Sequence, residues 1–165
     1  MHQYHYTPII TVSTRAIFLD YINAFKLGSI DYFAVGLGST TAKKLTSISS
    51  LPEWQDHLYK KQLAKSDPVI IAKIFSQRNI VPFSELDYIN SRGNEVMQQR
   101  RLFGIQNGLL LIHQKRHLRY MVMLATGYSK FDHYAFLKKY YAKLGRLKHD
   151  LIKIIEKDTK QFFLN

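Results

Sequence analysis

Leu51-Pro52-Glu53-Trp54-Gln55-Asp56-His57-Leu58-Tyr59, followed after a short basic run by Ser66-Asp67-Pro68-Val69-Ile70-Ile71, is the stretch on which the reading of this chain turns. It holds the only tryptophan and, thirteen residues later, an aspartate set just before an apolar run. An indole N–H can only donate a hydrogen bond and a carboxylate can only accept one. Side by side at the lip of an apolar cavity, the two could grip the carbonyl and the amide of one small ligand, which points to a receptor rather than an enzyme. Both residues also have ordinary structural uses. A tryptophan in the first turn of a helix anchors a core, and Asp before Pro is a common N-cap followed by a first helical residue.

Working outward, residues 1–11 read as an irregular arm and 12–165 as a single domain. Ser13 or Thr14 can cap a helix running to about Lys26, stopped by Leu27-Gly28-Ser29. Ile30 to Leu37 is β-branched and aromatic, a strand, with Gly38-Ser39-Thr40 as its turn and Lys43 to Ser49 as its partner. Pro52 suits a first helical position, and that helix runs to about Ala64. Asp67-Pro68 opens another, from Val69 to about Gln77. Residues 79–86 read as loop. Asn94 to Phe103 is a helix with Gln and Arg on its outer face. Leu109–His113 and Arg119–Ala125 are strands around a turn at Gln114–His117. Phe131 to about Lys160 is one long amphipathic helix facing the sheet through Leu137, Leu144, Leu151 and Ile155, with Tyr140, Tyr141 or Phe162 left for a partner helix. This order of elements predicts the α+β class, an antiparallel sheet covered by helices on both faces.

Composition narrows the function. There are no cysteines among the 165 residues, which removes disulfides and thiolate metal sites. No Gly-x-Ser-x-Gly elbow, Gly-rich phosphate loop or His-Glu-x-x-His pair is present. His2 and His5 lie on the arm, His57 on a helix turn, and His113 and His117 flank a basic hairpin. The chain is therefore read as non-enzymatic, without a metal or cofactor. It carries no signal peptide and no apolar run of the roughly 20 residues a membrane span needs, so a cytoplasmic, soluble protein with no membrane partner is expected. The net charge is +12. Arg100, Arg101, Lys115, Arg116 and Arg119 are read as solvated, with DNA binding weak, non-specific and salt-sensitive.

Ile30-Asp-Tyr-Phe-Ala-Val-Gly36, Leu51-Pro-Glu-Trp54, Asp67-Pro68-Val-Ile, Pro82-Phe83 and Arg101-Leu-Phe-Gly-Ile-Gln-Asn-Gly108-Leu together resemble the ligand-binding domain of LuxR-type quorum-sensing regulators, over residues 12–155. These bind N-acyl homoserine lactones. The resemblance implies an α-β-α sandwich with a central antiparallel sheet of about five strands. It implies that Trp54 donates to the lactone carbonyl and that Asp67 accepts from the amide N–H. The implied walls are Tyr32, Ala34, Leu51, Val69, Phe83, Phe103 and Met123. It further implies a homodimer, or a heterodimer with a LuxR-type regulator. The chain departs from the pattern at Ser50, Leu58 and Glu85, where the family carries aromatics, and at Met123, where it carries a small hydroxyl residue. Tyr59, one position beyond Leu58, is expected to point elsewhere. The chain stops at Asn165, so the helix-turn-helix domain of these regulators is expected to be missing.

Overall fold

The computed structural model describes residues 3–86 and 91–163; His2 of the arm, and positions 87–90 and 164–165 of the expected domain, lie outside them. The chain runs β1 (His5–Tyr6), α1 (Val12–Ala24), β2 (Tyr32–Ser39), β3 (Lys44–Ser49), α2 (Pro52–Lys60), α3 (Pro68–Phe75), β4 (Ile80–Pro82), α4 (Ser91–Leu102), β5 (Asn107–Lys115), β6 (Leu118–Thr126) and α5 (His133–Glu156), with single 3-10 turns before α3, after β4 and after α5. The strands form one sheet in the order β1-β3-β2-β6-β5-β4. β1 pairs with β3 in parallel and every other pairing is antiparallel. The expected sheet of about five strands is thus present, with the two-residue β1 added from the arm.

The sheet is covered on both sides because its central strands are buried on both faces; all eight residues of β2 are buried. Side chains alternate along a strand. Phe33, Val35 and Leu37 face a core closed by Phe18 and Ile22 of α1 and by Leu144, Leu147, Leu151, Ile154 and Ile155 of α5. Tyr32 and Ala34 face a second core with Trp54 and Leu58 of α2, Val69, Ile70 and Ile74 of α3, and Val96 and Met97 of α4.

Several boundaries differ from the sequence reading, each for an identifiable physical reason. α1 is capped by Thr11, not Ser13 or Thr14; its Oγ1 accepts from Thr14 N at 3.2 Å while its own N–H donates to Asp158 Oδ2 at 2.6 Å. A contact 147 residues away therefore fixes the cap. β2 continues through Gly38 and Ser39, which pair with both β3 and β6, so the turn moves to residues 40–43. α2 stops at Lys60, before the expected Ala64. Gln62 adopts a positive φ of 55°, and Leu63 N donates to Leu58 O at 2.9 Å, a Schellman-type close that buries Leu63. Residues 80–82, read as loop, pair with β5 as an edge strand, where Pro82 is tolerated. The β5–β6 turn shrinks to Arg116-His117, with Arg116 at φ 56°. α5 begins after Asp132, which accepts from Ala135 N at 3.0 Å. Phe162, offered above for a partner, is fully buried in the α1–α5 core instead.

Candidate functional site

The floor of the site is the stretch of β2 carrying Ala34 and Gly36. Ala34 pairs with Met123 of β6 and Ser49 of β3; Gly36 pairs with Met121 and Ser47. Its roof is the inner faces of α2, α3 and α4. Between them lies a cavity of about 40 Å³ lined by Tyr32, Trp54, Asp67, Val69 and Met123, together with Gln55, Leu58, Tyr59, Lys73 and Arg100. By the measure that one water needs some 10–15 Å³, it holds a few waters or one small polar group. Of the expected wall residues, Leu51, Phe83 and Phe103 do not line it. Leu51 precedes α2, Phe83 is buried in the same core, and Phe103 packs on the Trp54 ring at 5.2 Å.

Asp67 caps α3, accepting from Val69 N at 3.0 Å through Oδ1. The same carboxylate is gripped by Arg100, with Nη1 to Oδ1 at 3.0 Å and Nη2 to Oδ2 at 2.7 Å. Both partners of this ion pair are essentially unexposed, 1% for Arg100 and 0% for Asp67. The guanidinium also lies 4.9 Å from the Trp54 ring, a cation–π distance. Arg100 is therefore an inward residue of α4, contrary to its assignment to a solvated outer face. Arg119 is also buried; it donates to the carbonyls of Lys73 and Ser76 and closes the C-terminal turn of α3.

Lys73 is the other cation, 2% exposed. Among the described residues its Nζ has no hydrogen-bond or ion-pair partner. Burial pushes its ammonium down from the ordinary 10.5 to about 8, with Asp67 opposing the shift. Gly36 makes room for it: a Cβ built there would sit 3.2 Å from Nζ. Tyr32 accepts from Ser49 Oγ at 3.0 Å, and burial raises its phenol. Tyr59 reaches the cavity after all, and burial raises its phenol too. The arm seals this side: Tyr6 stacks on Tyr59 at 3.8 Å and accepts from Gln55 Nε2 at 2.7 Å.

Arg100 and Lys73 escaped the sequence reading, yet both were marked by periodicity. Arg100 follows Val96 and Met97, and Lys73 follows Val69 and Ile70, at three- and four-residue steps. A cation on the apolar stripe of a helix is the signal. Among the described residues the inner faces present donors, acceptors and charge but no nucleophile paired with a base. Among the described residues no group of three or more His, Asp or Glu side chains could hold a metal.

A sheet covered by helices on both faces, with a small polar-lined cavity on the α2–α4 side, defines an α-β-α sandwich domain. The chain matches the family described as Autoinducer binding domain over residues 15–140 and belongs to that family. Its fold is similar to that of Escherichia coli SdiA, at 14% identity and a TM-score of 0.62, covering 93% of this chain and 71% of that one. It is similar to CepR2 of Burkholderia cenocepacia, an N-acylhomoserine lactone dependent LuxR family transcription factor, at 16% identity and a TM-score of 0.60, covering 83% and 79%. SdiA in complex with octanoyl-rac-glycerol matches at 14% identity and a TM-score of 0.52, covering 73% and 56%. At these identities the likeness is one of fold. No curated protein matches the chain. Among the described residues no helix is long and apolar enough to cross a membrane.

Proposed function

We propose that this domain senses a small amphipathic signal of the acyl type, held head-first in the cavity beneath Trp54, and passes the signal on by pairing with a LuxR-type regulator. One observation carries the binding half of this reading. Trp54, Asp67, Tyr32, Val69 and Met123, scattered over ninety positions of sequence, line a single buried cavity. The Trp54 indole N–H has no hydrogen-bond acceptor among the described residues, so it is free to take a ligand carbonyl. An N-acyl homoserine lactone is one candidate; its amide reaches Asp67 only if Arg100 yields part of its grip. Pairing rests on the family and on the exposed Tyr134 and Tyr141 of α5.

Trp54 is the only tryptophan, so its emission reports on this cavity alone. Titration with N-octanoyl homoserine lactone, octanoate and octanamide is expected to change that emission saturably for at least one of them. A flat response to all three overturns the reading. The small cavity favours a second reading, a ligand-free interaction module on the same fold. It expects that flat response, together with co-purification of a partner that depends on the α5 surface.

A further inference from the structure

The charges lining the cavity do not balance. Among the described residues, one carboxylate, Asp67, faces two buried cations, Arg100 and Lys73, and no other charged side chain lines the cavity. Asp67 already accepts three hydrogen bonds, two from Arg100 and one from the α3 backbone, which leaves a single acceptor site on Oδ2. What is otherwise left over is donors. Among the described residues Lys73 Nζ and the Trp54 indole N–H have no hydrogen-bond partner, and Arg100 Nε is buried without an acceptor. A head group that itself donates, such as an amide, meets an acceptor already mostly in use. A head group that only accepts, and carries a negative charge, matches these three donors.

Beside this cavity runs a mainly apolar groove of about 180 Å³, lined by Tyr4, Leu45, Ile71, Ile74 and Phe75, with Gln3 and Lys65 as its polar members, and sharing Ile70 with the cavity. The Ile70 side chain alone stands between the two spaces, so a tail can enter the groove from a head under Trp54 only if that side chain moves aside. Resting on the sensor reading above, we propose that the natural ligand is a carboxylate-bearing acyl chain, its carboxylate received by Lys73 and Arg100 and its tail laid past Ile70 into this groove.

The titratable groups facing Lys73 across the cavity are Asp67 at the head of α3, Tyr32 of β2 and Tyr59 of α2, with Arg100 of α4. Both phenols are raised by burial, so the ammonium is the first of the cavity's basic groups to lose its proton as pH rises above neutrality. Octanoate should therefore bind less well above about pH 8.

Calorimetric titration of the whole chain with octanoate, octanamide and N-octanoyl homoserine lactone tests the proposal at one acyl length. At pH 7 octanoate is expected to bind about tenfold to a hundredfold more tightly than octanamide. Lys73→Met, which removes an unpaired buried charge and keeps the apolar stem, should stay folded and abolish that preference. Arg100→Met should weaken octanoate as well, and Ile70→Trp should weaken all acyl ligands by blocking the shared wall. If the lactone or the amide binds and octanoate does not, the head-group assignment falls while the sensor reading stands. An octanoate affinity unchanged in Lys73→Met also overturns the assignment. If none of the three binds, both readings fall.

Discussion

The two faces of the sheet are built on alternate residues of the same strands, yet they solve packing differently. On the side reached by Phe33, Val35 and Leu37, the helices α1 and α5 contribute aliphatic and aromatic side chains, and the main polar intrusion is the Tyr120 hydroxyl, which donates to Glu156 at 2.7 Å. On the side reached by Tyr32, Ala34 and Gly36, an equally buried layer holds Asp67, Arg100 and Lys73. Burying charge costs several kcal/mol per ion unless pairing and hydrogen bonds offset it, and an apolar replacement is often the more stable choice. A fold that needed only stability would make both faces alike. The α1–α5 face is packed as a scaffold, and the α2–α4 face gives up stability to hold charge, as the proposed recognition site would require.

That contrast can be broken most sharply at Asp67. Asp67→Ala strands two buried cations and removes the cap of α3, so a loss of about 3–5 kcal/mol is expected in urea denaturation. Arg100→Met should cost less, because Asp67 then remains opposite Lys73. If Asp67→Ala proves no worse than an ordinary cap deletion of about 1 kcal/mol, the buried pair is not the organising feature of this face.

On the other face, Leu151→Ala should cost roughly 2–5 kcal/mol through transfer and cavity terms. That loss should not vary between pH 7.5 and 9.5 or with salt, and it should leave the Trp54 emission unchanged.

Lys73 gives the two faces different pH behaviour. Its folded value, about 8, lies below the ordinary 10.5. Between the two the unfolded chain holds more protons than the folded one, so stability should climb as pH rises through that window. The whole span is on the order of 3 kcal/mol. Ionisation of Tyr32 and Tyr59 in the unfolded chain opposes it near pH 10, since burial raises both phenols in the folded state. Denaturation midpoints measured from pH 7.5 to 9.5 should therefore rise for the wild type and stay level for Lys73→Met. The variant should also be the more stable of the two at pH 7. A level wild-type profile would mean that the ammonium is well solvated.

The smallest effect belongs to Gly36. An alanine there presses on Lys73 Nζ, which lies 3.2 Å from the new Cβ. Gly36→Ala should cost about 1 kcal/mol in the wild type and be neutral or mildly stabilising in a Lys73→Met background. Equal effects in both backgrounds would show that the glycine is kept for another reason.

The layered fold and the Trp54–Asp67 pair were legible in the sequence because both rest on local signals: alternation, helical period, a proline at a helix start, and the family's spacing. The partner of Asp67 was not, because Arg100 lies 33 residues away on a helix whose polar composition suggests an outer face. The same limit applies to Thr11, capped through Asp158, and to Phe162, which returns to the α1–α5 core from the far end of the chain. β4 was missed because three residues containing a proline carry no periodicity and gain their strand geometry only from β5. The wall residues Phe83 and Phe103 were placed by analogy; in this chain they support Trp54 and its core from behind.

Methionine distribution offers the most direct test of the division between the faces. Three of the four methionines, Met97, Met121 and Met123, are buried on the α2–α4 side, and Met97 Sδ lies 2.9 Å from Arg100 Nη1. Methyl NMR of protein labelled at methionine and leucine, titrated with octanoate at pH 7, reads both faces at once. The account expects saturable shifts at Met121, Met123 and Met97, with Leu147 and Leu151 unmoved, and loss of those shifts in Lys73→Met. Shifts confined to the leucines of the α1–α5 core, or methionine shifts that persist unchanged in Lys73→Met, would contradict it.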